Sequence, residues 1–146
     1  MAASEINLDL CWNNGFKGTG MVKGKNFGVQ IGIPAALGGS GEGANPKELL
    51  ASSAAACFIA TLTAILENRK IPVQHLAITT HSVETDDAFY IRHNTALTVG
   101  PAATDDDIAA IEALVTRADK ACVIGNVLRK AGVLIEARLG TIDKTS

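Results

Sequence analysis

The chain has 146 residues, of which 47% are hydrophobic and 19% are charged, so we expect residues 1–146 to form a single domain with its own core. Its formal net charge is −2, with one Trp and one Tyr, which argues against nucleic acid as a partner. The first ten residues, MAASEINLDL, lack the charged start, apolar core and cleavage site of a secretory signal, which predicts a cytoplasmic protein.

The first forty-five residues alternate short apolar runs with glycine-rich turns. The runs INLDLCW, TGMVKG and FGVQIGI are typical of two or three short antiparallel strands. A glycine-rich segment, ALGGSGEGANP, follows them. It lacks the lysine and hydroxyl residue of the G-x-x-x-x-G-K-[ST] motif, so we favour a loop over a phosphate site.

Helix-start signals coincide next to this loop. Asn45 suits the N-cap, Pro46 suits the first helical position, and Glu48 is placed to complete a capping box. The pattern therefore predicts a long helix that begins here and ends before Pro72.

The body of this predicted helix has eighteen uncharged residues, 49–66, the lower limit for a membrane span. Ten of the eighteen are Ala, Ser or Thr, and no aromatic belt or basic flank anchors the segment. Such small side chains favour close burial against a sheet or a partner helix. We therefore prefer a buried helix to a membrane helix.

After Pro72, the runs VQHLAITTHSV and FYIRHNTALTV, separated by ETDDA, predict a hairpin. In the second run one strand face carries alternate residues, which predicts burial of that side: Phe89, Ile91, His93, Thr95, Leu97 and Val99.

Two helices are predicted after the hairpin. Thr104 and the acids after it start the first, whose apolar stripe is Ile108, Ile111, Leu114 and Val115. The second runs from about Lys120 to Lys130 and ends at Gly132, and VLIEARL follows as a strand. Strands and helices segregated in this way indicate an α+β fold.

Three cysteines, Cys11, Cys57 and Cys122, are odd in number and far apart. This spacing argues against a disulfide framework and against a zinc site, which leaves inert buried thiols or reactive ones. If Asp119 caps the second helix, Cys122 lies in its first turn, where the helix dipole stabilises a thiolate. Cys11, beside Trp12 in an early strand, is interpreted as a bystander.

Two segments resemble the OsmC/Ohr family. GANPKELLASSAAACFIATL is similar to its active-site helix, NPEELLAAALAACF, and ADKACVIGNVLR is similar to its second-cysteine segment, A-[DE]-x-x-C-P-[IV]-S-N. The gap of sixty-five residues between the cysteines and the order of elements also resemble the family. The resemblance covers nearly the whole chain. It implies an α+β fold with antiparallel sheets around a long central helix, in an intertwined homodimer.

The resemblance also implies a function. Cys57 would be the peroxidatic thiolate that reduces an organic hydroperoxide, and Cys122 would be the resolving thiol. The usual reductant in the family is a dithiol, the dihydrolipoyl group of a lipoyl protein. Neither a metal nor an organic cofactor is expected. A wall of apolar side chains such as Leu50 and Phe58 would favour alkyl or lipid hydroperoxides.

The chain departs from the family pattern at its charged residues. The family has an Arg in the early strands, but no Arg occurs here before Arg69. It also has a Glu ten residues before the first cysteine, where this chain has Lys47, with Glu48 one position late. Lys47 and Glu48 are the candidate catalytic residues beside the two cysteines, although the Asn45 to Glu48 spacing favours a capping role for Glu48. Lys47 could supply the missing cation. It lies about 15 Å from Cys57 along a straight helix, so any such contact would come from a partner subunit.

Two residues of the second motif also differ, because Val123 and Gly125 replace the family's Pro and Ser. These losses leave an alternative function open, a divergent OsmC-like dimer that binds a small apolar or thiol-reactive ligand with little peroxidase activity. A purely structural dimer is a third possibility. His75 and His81 share a predicted strand face, but no carboxylate or thiol stands at ligand spacing, so we do not expect a metal site.

Overall fold

The computed structural model describes residues 3–146, and the part of the amino-terminal interpretation that rests on residues 1 and 2 lies outside the described residues. The backbone divides into two compact units, Met1–Leu50 and Ala51–Ser146. The described residues contain three-stranded sheets and helices segregated along the chain, which confirms the α+β class.

The first unit contains a three-stranded antiparallel sheet, as the sequence predicts. Its strands β1 (Asp9–Asn13), β2 (Thr19–Lys23) and β3 (Gly28–Gly32) lie in chain order. The turn after β1 places Asn14 and Gly15 at positive φ, the region that Asn and Gly tolerate best.

Helix α1 (Pro46–Asn68) begins with the predicted capping box. The Glu48 N–H donates to Asn45 Oδ1 at 2.9 Å, and the Glu48 carboxylate accepts the Asn45 N–H at 3.3 Å. This reciprocal pair satisfies two of the backbone donors that a helix start leaves unpaired, and such a cap stabilises a helix by about 1 kcal/mol.

Helix α1 is also long and apolar enough to cross a membrane by length and composition, since its most apolar 18-residue window has a mean hydropathy of 2.1. The central helix of a water-soluble domain passes the same test. One side of the helix, carrying Ala54, Phe58, Leu62 and Leu66, is buried against the rest of the second unit.

The second sheet differs from the expected antiparallel arrangement at one strand. Strands β4 (Val73–Glu84) and β5 (Phe89–Val99) form the predicted antiparallel hairpin, but β6 (Leu134–Lys144) pairs with β5 in parallel. The expectation was wrong for β6 because two helices carry the chain back between β5 and β6, so both strands run in the same direction.

Those helices are α2 (Asp105–Ala121), capped by Thr104, and α3 (Val123–Lys130). The predicted start of the second helix at Lys120 was wrong. Cys122 has extended backbone angles, φ −67° and ψ 111°, so it interrupts the helical path and is itself the N-cap of α3. Asp119, expected to be the cap, lies inside the last turn of α2.

The core of the second unit joins α1, β5 and α2. The predicted alternation along β5 is confirmed, because residues 91, 93, 95, 97 and 99 are buried. Leu97 and Val99 pack with the buried side of α1 and with the apolar stripe of α2, and the Cys122 side chain belongs to the same cluster. The corner between α2 and α3 is therefore anchored in the core through Cys122.

Candidate active site

The structure brings Cys57 and Cys122 together although sixty-five residues separate them in the chain. Cys57 lies near the middle of α1 and is partly exposed, whereas Cys122 is 2% exposed at the α2–α3 corner. Each thiol affects the pKa of the other, so the two side chains are neighbours. The Cys122 sulfur also lies 4.0 Å from the carbonyl oxygen of Ala54, one turn before Cys57.

Cys57 is surrounded by hydrogen-bond donors. Burial alone raises the pKa of its thiol, but the Ile124 N–H, the Cys122 thiol and the Val123 N–H together outweigh that effect. The pKa of Cys57 is consequently below the ordinary value for a cysteine. The two N–H groups are at the start of α3, where backbone donors have no partner within the helix. They stabilise a thiolate at Cys57.

Cys122 shows the opposite shift. Burial raises the pKa of its thiol, and the nearby Cys57 and Asp119 raise it further, while a hydrogen bond from the Gly125 N–H at 3.4 Å opposes them only in part. The expectation that the helix start would stabilise a thiolate at Cys122 itself was therefore wrong. As the N-cap, Cys122 lies just outside α3, and the Val123 and Ile124 N–H groups of the first turn lower the pKa of Cys57 instead.

An arginine fixes the α2–α3 corner. The Arg129 guanidinium pairs with the Asp119 carboxylate at 2.6 Å, and the side chains of this pair are 28% and 18% exposed. The same guanidinium also donates to the Asp119 and Ile135 carbonyl oxygens and to the Asn126 side chain. One side chain thus connects the end of α2, the middle of α3 and the start of β6.

Phe58 does not form the substrate wall that the sequence suggested. It is fully buried, and its ring stacks on the His93 imidazole with centroids 5.0 Å apart and an interplanar angle of 7°. Phe58 lies one turn from Leu62 on the core side of α1, so its ring points away from the side where Cys57 is exposed. His93 Nδ1 in turn lies 2.8 Å from the Thr80 hydroxyl.

The other candidate residues lie in the first unit. Glu48 is exposed and serves the capping box, which supports its interpretation as a structural residue. Lys47 is exposed in the first turn of α1, Leu50 follows in the same helix, and Cys11 is exposed in β1. A catalytic role for Lys47 or Glu48 stays a prediction.

His75 and His81 both lie on β4, and His81 is directly opposite Arg92 on β5. Among residues 3–146, no group of three or more His, Cys, Asp or Glu side chains is arranged to hold a metal ion.

Sequence reasoning missed three features of the site: Arg129, His93 as a partner of Phe58, and the amides of Val123 and Ile124. The contacts of Arg129 and His93 join elements that are distant in the chain, so no local sequence pattern predicts these contacts. The amides had a weak signal, because a residue at a helix start offers free N–H groups. The exact break between the helices, which decides which amides these are, depends on the conformation of Cys122.

The family model described as OsmC-like protein matches residues 39–138, which include both cysteines. The chain belongs to the OsmC/Ohr family. Organic hydroperoxide resistance proteins are among the solved structures that share its fold.

Individual relatives are more distant. The uncharacterized protein YmaD of Bacillus subtilis (strain 168) is 28% identical over 134 residues, which cover 88% of this chain and 89% of YmaD. An OsmC-like protein from Mycoplasma pneumoniae superposes with a TM-score of 0.74 at 15% identity, over 97% of this chain and 99% of that one. An organic hydroperoxide resistance protein from Elizabethkingia anophelis superposes with a TM-score of 0.65 at 21% sequence identity. The match covers 99% of this chain and 100% of that one. These structures confirm the OsmC/Ohr-like fold.

Proposed function

We propose that the protein is a thiol-dependent peroxidase that reduces organic hydroperoxides with Cys57 and Cys122. The observation that carries this proposal is that the pKa values of the two neighbouring thiols are shifted in opposite directions. The thiol that is partly exposed has the lowered pKa, and the buried one has the raised pKa. Because a thiolate is the nucleophile, Cys57 is the residue that attacks.

The proposed reaction has two steps. The Cys57 thiolate attacks one oxygen of the hydroperoxide, the O–O bond breaks, and the alkoxide leaves and takes up a proton as an alcohol. Cys57 is thereby oxidised to a sulfenic acid. The Cys122 sulfur then attacks the Cys57 sulfur, and the hydroxyl group leaves with the Cys122 proton as water. The product is a disulfide between Cys57 and Cys122.

A dithiol must reduce that disulfide to complete the cycle. It would attack the Cys57 sulfur, because Cys122 is 2% exposed and out of reach. Two thiol groups of the dithiol are oxidised to a disulfide, and both cysteines return to the thiol form. By extension from the family to this chain, we propose that this reductant is a dihydrolipoyl group. We also propose that the protein is a cytoplasmic homodimer.

The names of two relatives with the same fold support the choice of substrate. The proteins from Elizabethkingia anophelis and Legionella pneumophila are both described as organic hydroperoxide resistance proteins. Thiol chemistry accounts for each step of the proposed cycle: Cys57 and Cys122 reduce the hydroperoxide, and the dithiol then reduces their disulfide.

Stopped-flow measurement of Cys57 oxidation by tert-butyl hydroperoxide tests the function. We expect a second-order rate constant at least a hundredfold above that of free cysteine, unchanged in Cys11→Ser and absent in Cys57→Ser. A rate constant equal to that of free cysteine would contradict the proposal. It would favour the alternative function, an OsmC-like dimer that binds a small apolar or thiol-reactive ligand and turns over little peroxide.

A further inference from the structure

Arg129 makes four hydrogen bonds to three different parts of the second unit. One terminal nitrogen donates to the Asp119 carbonyl oxygen at 3.1 Å and to Asn126 Oδ1 at 3.0 Å. The other donates to Asp119 Oδ1 at 2.6 Å and to the Ile135 carbonyl oxygen at 2.9 Å. Its side chain thus joins α2, α3 and β6 at one point.

The segment enclosed by these contacts contains Val123 and Ile124, whose backbone N–H groups lower the pKa of Cys57. Asp119 and Asn126 flank residues 120–125, and Asn126 adds a hydrogen bond from its side-chain N–H to the Lys120 carbonyl oxygen at 2.9 Å. The Asp119 carbonyl oxygen, in the last turn of α2, also accepts the Cys122 N–H at 3.4 Å. Arg129 and Asn126 donate further hydrogen bonds from α3 to the carbonyl oxygens of residues 119 and 120, so these contacts join the two sides of the corner.

We propose that Arg129 is a positioning residue, which holds the α2–α3 corner so that the Val123 and Ile124 N–H groups point at the Cys57 sulfur. The proposal rests on the proposed function only in taking the Cys57 thiolate as the reactive form. Arg129 acts through the backbone and not as a charge partner of Cys57, because its guanidinium is paired with Asp119.

The four hydrogen bonds of Arg129 require its planar guanidinium group. Arginine carries five N–H donors in a fixed fork, and two of its nitrogens here reach four acceptors that lie in different directions. A lysine ammonium has three donors on one nitrogen and can satisfy part of this set. Lysine should therefore restore the position of the corner only in part.

The test measures the reactivity of Cys57 without any peroxide. Alkylation of Cys57 by monobromobimane is followed from pH 5 to pH 10 by mass spectrometry in the parent, Arg129→Lys and Arg129→Met. We expect the pH midpoint of Cys57 alkylation in the parent to lie below the midpoint for free cysteine. In Arg129→Met the pH midpoint of Cys57 alkylation should move upward, and the alkylation rate at pH 7 should fall about tenfold, because hydrogen bonds to the thiolate are lost. Arg129→Lys should give intermediate values of both.

Arg92→Met is the matched control. It makes the same change of residue and charge, and it removes an ion pair with Glu136 whose side chains are 53% and 45% exposed. We expect its Cys57 titration to equal that of the parent. If Arg129→Met does not fold, Asn126→Ala removes one acceptor of Arg129 and the bond to Lys120, and the same upward shift is expected.

Amide chemical shifts distinguish a loss of the position of the Val123 and Ile124 N–H groups from a general loss of protein stability. In the parent, the ¹⁵N shifts of Val123 and Ile124 should change with pH at the Cys57 midpoint, and in Arg129→Met this response should be lost. A folded Arg129→Met protein with parental alkylation and amide titrations would overturn the proposal, as would an ordinary Cys57 midpoint in the parent. If the pH midpoint of Cys57 alkylation is lowered in the parent but the parent does not reduce hydroperoxides, only the proposed function is contradicted.

Discussion

The side chains of Cys57 and Cys122 are neighbours, and the pKa values of their two thiols are shifted in opposite directions. The difference arises from their positions around the start of α3. Cys57 receives the backbone donors of that helix, while Cys122 is its buried N-cap. The helix start therefore stabilises a thiolate on the partly exposed sulfur and leaves the second thiol protonated.

Val123→Pro should raise the pKa of Cys57, because it removes one of the N–H groups that lower it. Proline is well tolerated at the first position of a helix, and Cys122, with φ −67° and ψ 111°, already has the conformation that precedes proline. We expect Cys57 alkylation at pH 7 to slow by about threefold to tenfold, as for a lost hydrogen bond to a charged group.

Asp105→Pro is the control for this substitution. It places a proline at the first position of α2, at the far end of that helix from Cys122. Alkylation of Cys57 should be unaffected by it. An unchanged rate in Val123→Pro would show that this amide does not stabilise the thiolate.

Lys47→Ala tests whether a lysine replaces the missing early arginine. If Lys47 of a second subunit supports the Cys57 thiolate, the substitution should raise the thiol pKa and slow peroxide reduction at neutral pH. The free energy of unfolding should change little, since an exposed lysine in a first helical turn contributes little to folding. Thiol titration and stopped-flow rates equal to those of the parent would rule out the lysine.

His93 should make the stability of the fold depend on pH. Burial lowers the pKa of His93 below its ordinary 6.5, with Asp119 opposing and Arg129 adding to this effect. As the pH falls below 6.5, the unfolded chain therefore binds a proton that the folded chain does not. The free energy of unfolding should decrease by up to about 1.4 kcal/mol per pH unit in this window.

Urea unfolding of the parent and of His93→Gln between pH 7.5 and pH 5 measures this dependence. The substitution should remove most of the slope below pH 6.5. His81→Gln, which changes an exposed histidine on β4, should retain it. Equal slopes in all three proteins would mean that His93 is not the group responsible.

The side of α1 opposite the core predicts a homodimer. It consists of small, exposed residues, a surface that suits close packing against a second copy: Ser52, Ser53, Ala56, Ala60, Thr63 and Ala64. Light scattering should give about 30 kDa, twice the 15.1 kDa chain. Ala60→Arg should shift the mass toward the monomer, and Ala113→Arg, on the exposed side of α2, should not. A folded parental monomer at micromolar concentration would contradict the dimer.

Features set by neighbouring residues were predictable from the sequence. The Asn45–Glu48 capping box depends on a spacing of three residues, and the burial of one side of β5 depends on alternation along a single strand. Both follow from local geometry. The structure confirms each of them.

Features set by distant contacts were not predictable. The parallel pairing of β6 depends on how two helices return the chain to β5, and the break at Cys122 depends on its burial between α1 and α2. Phe58 was expected in an apolar substrate wall, but its ring lies on the core side of the helix against His93. The family resemblance identified both cysteines and implied that Cys57 is the thiolate, whereas the backbone N–H groups that lower its pKa were found only from the tertiary structure.

The most direct test of the account is to map the first oxidised species that forms with one equivalent of tert-butyl hydroperoxide. The protein is quenched by rapid alkylation, digested and analysed by mass spectrometry. We expect an intramolecular disulfide between Cys57 and Cys122, with Cys11 alkylated, and a Cys57 sulfenic acid that accumulates only in Cys122→Ser. Oxidation of Cys11 alone, or a stable Cys57 sulfenic acid while Cys122 is present, would contradict the two-cysteine mechanism.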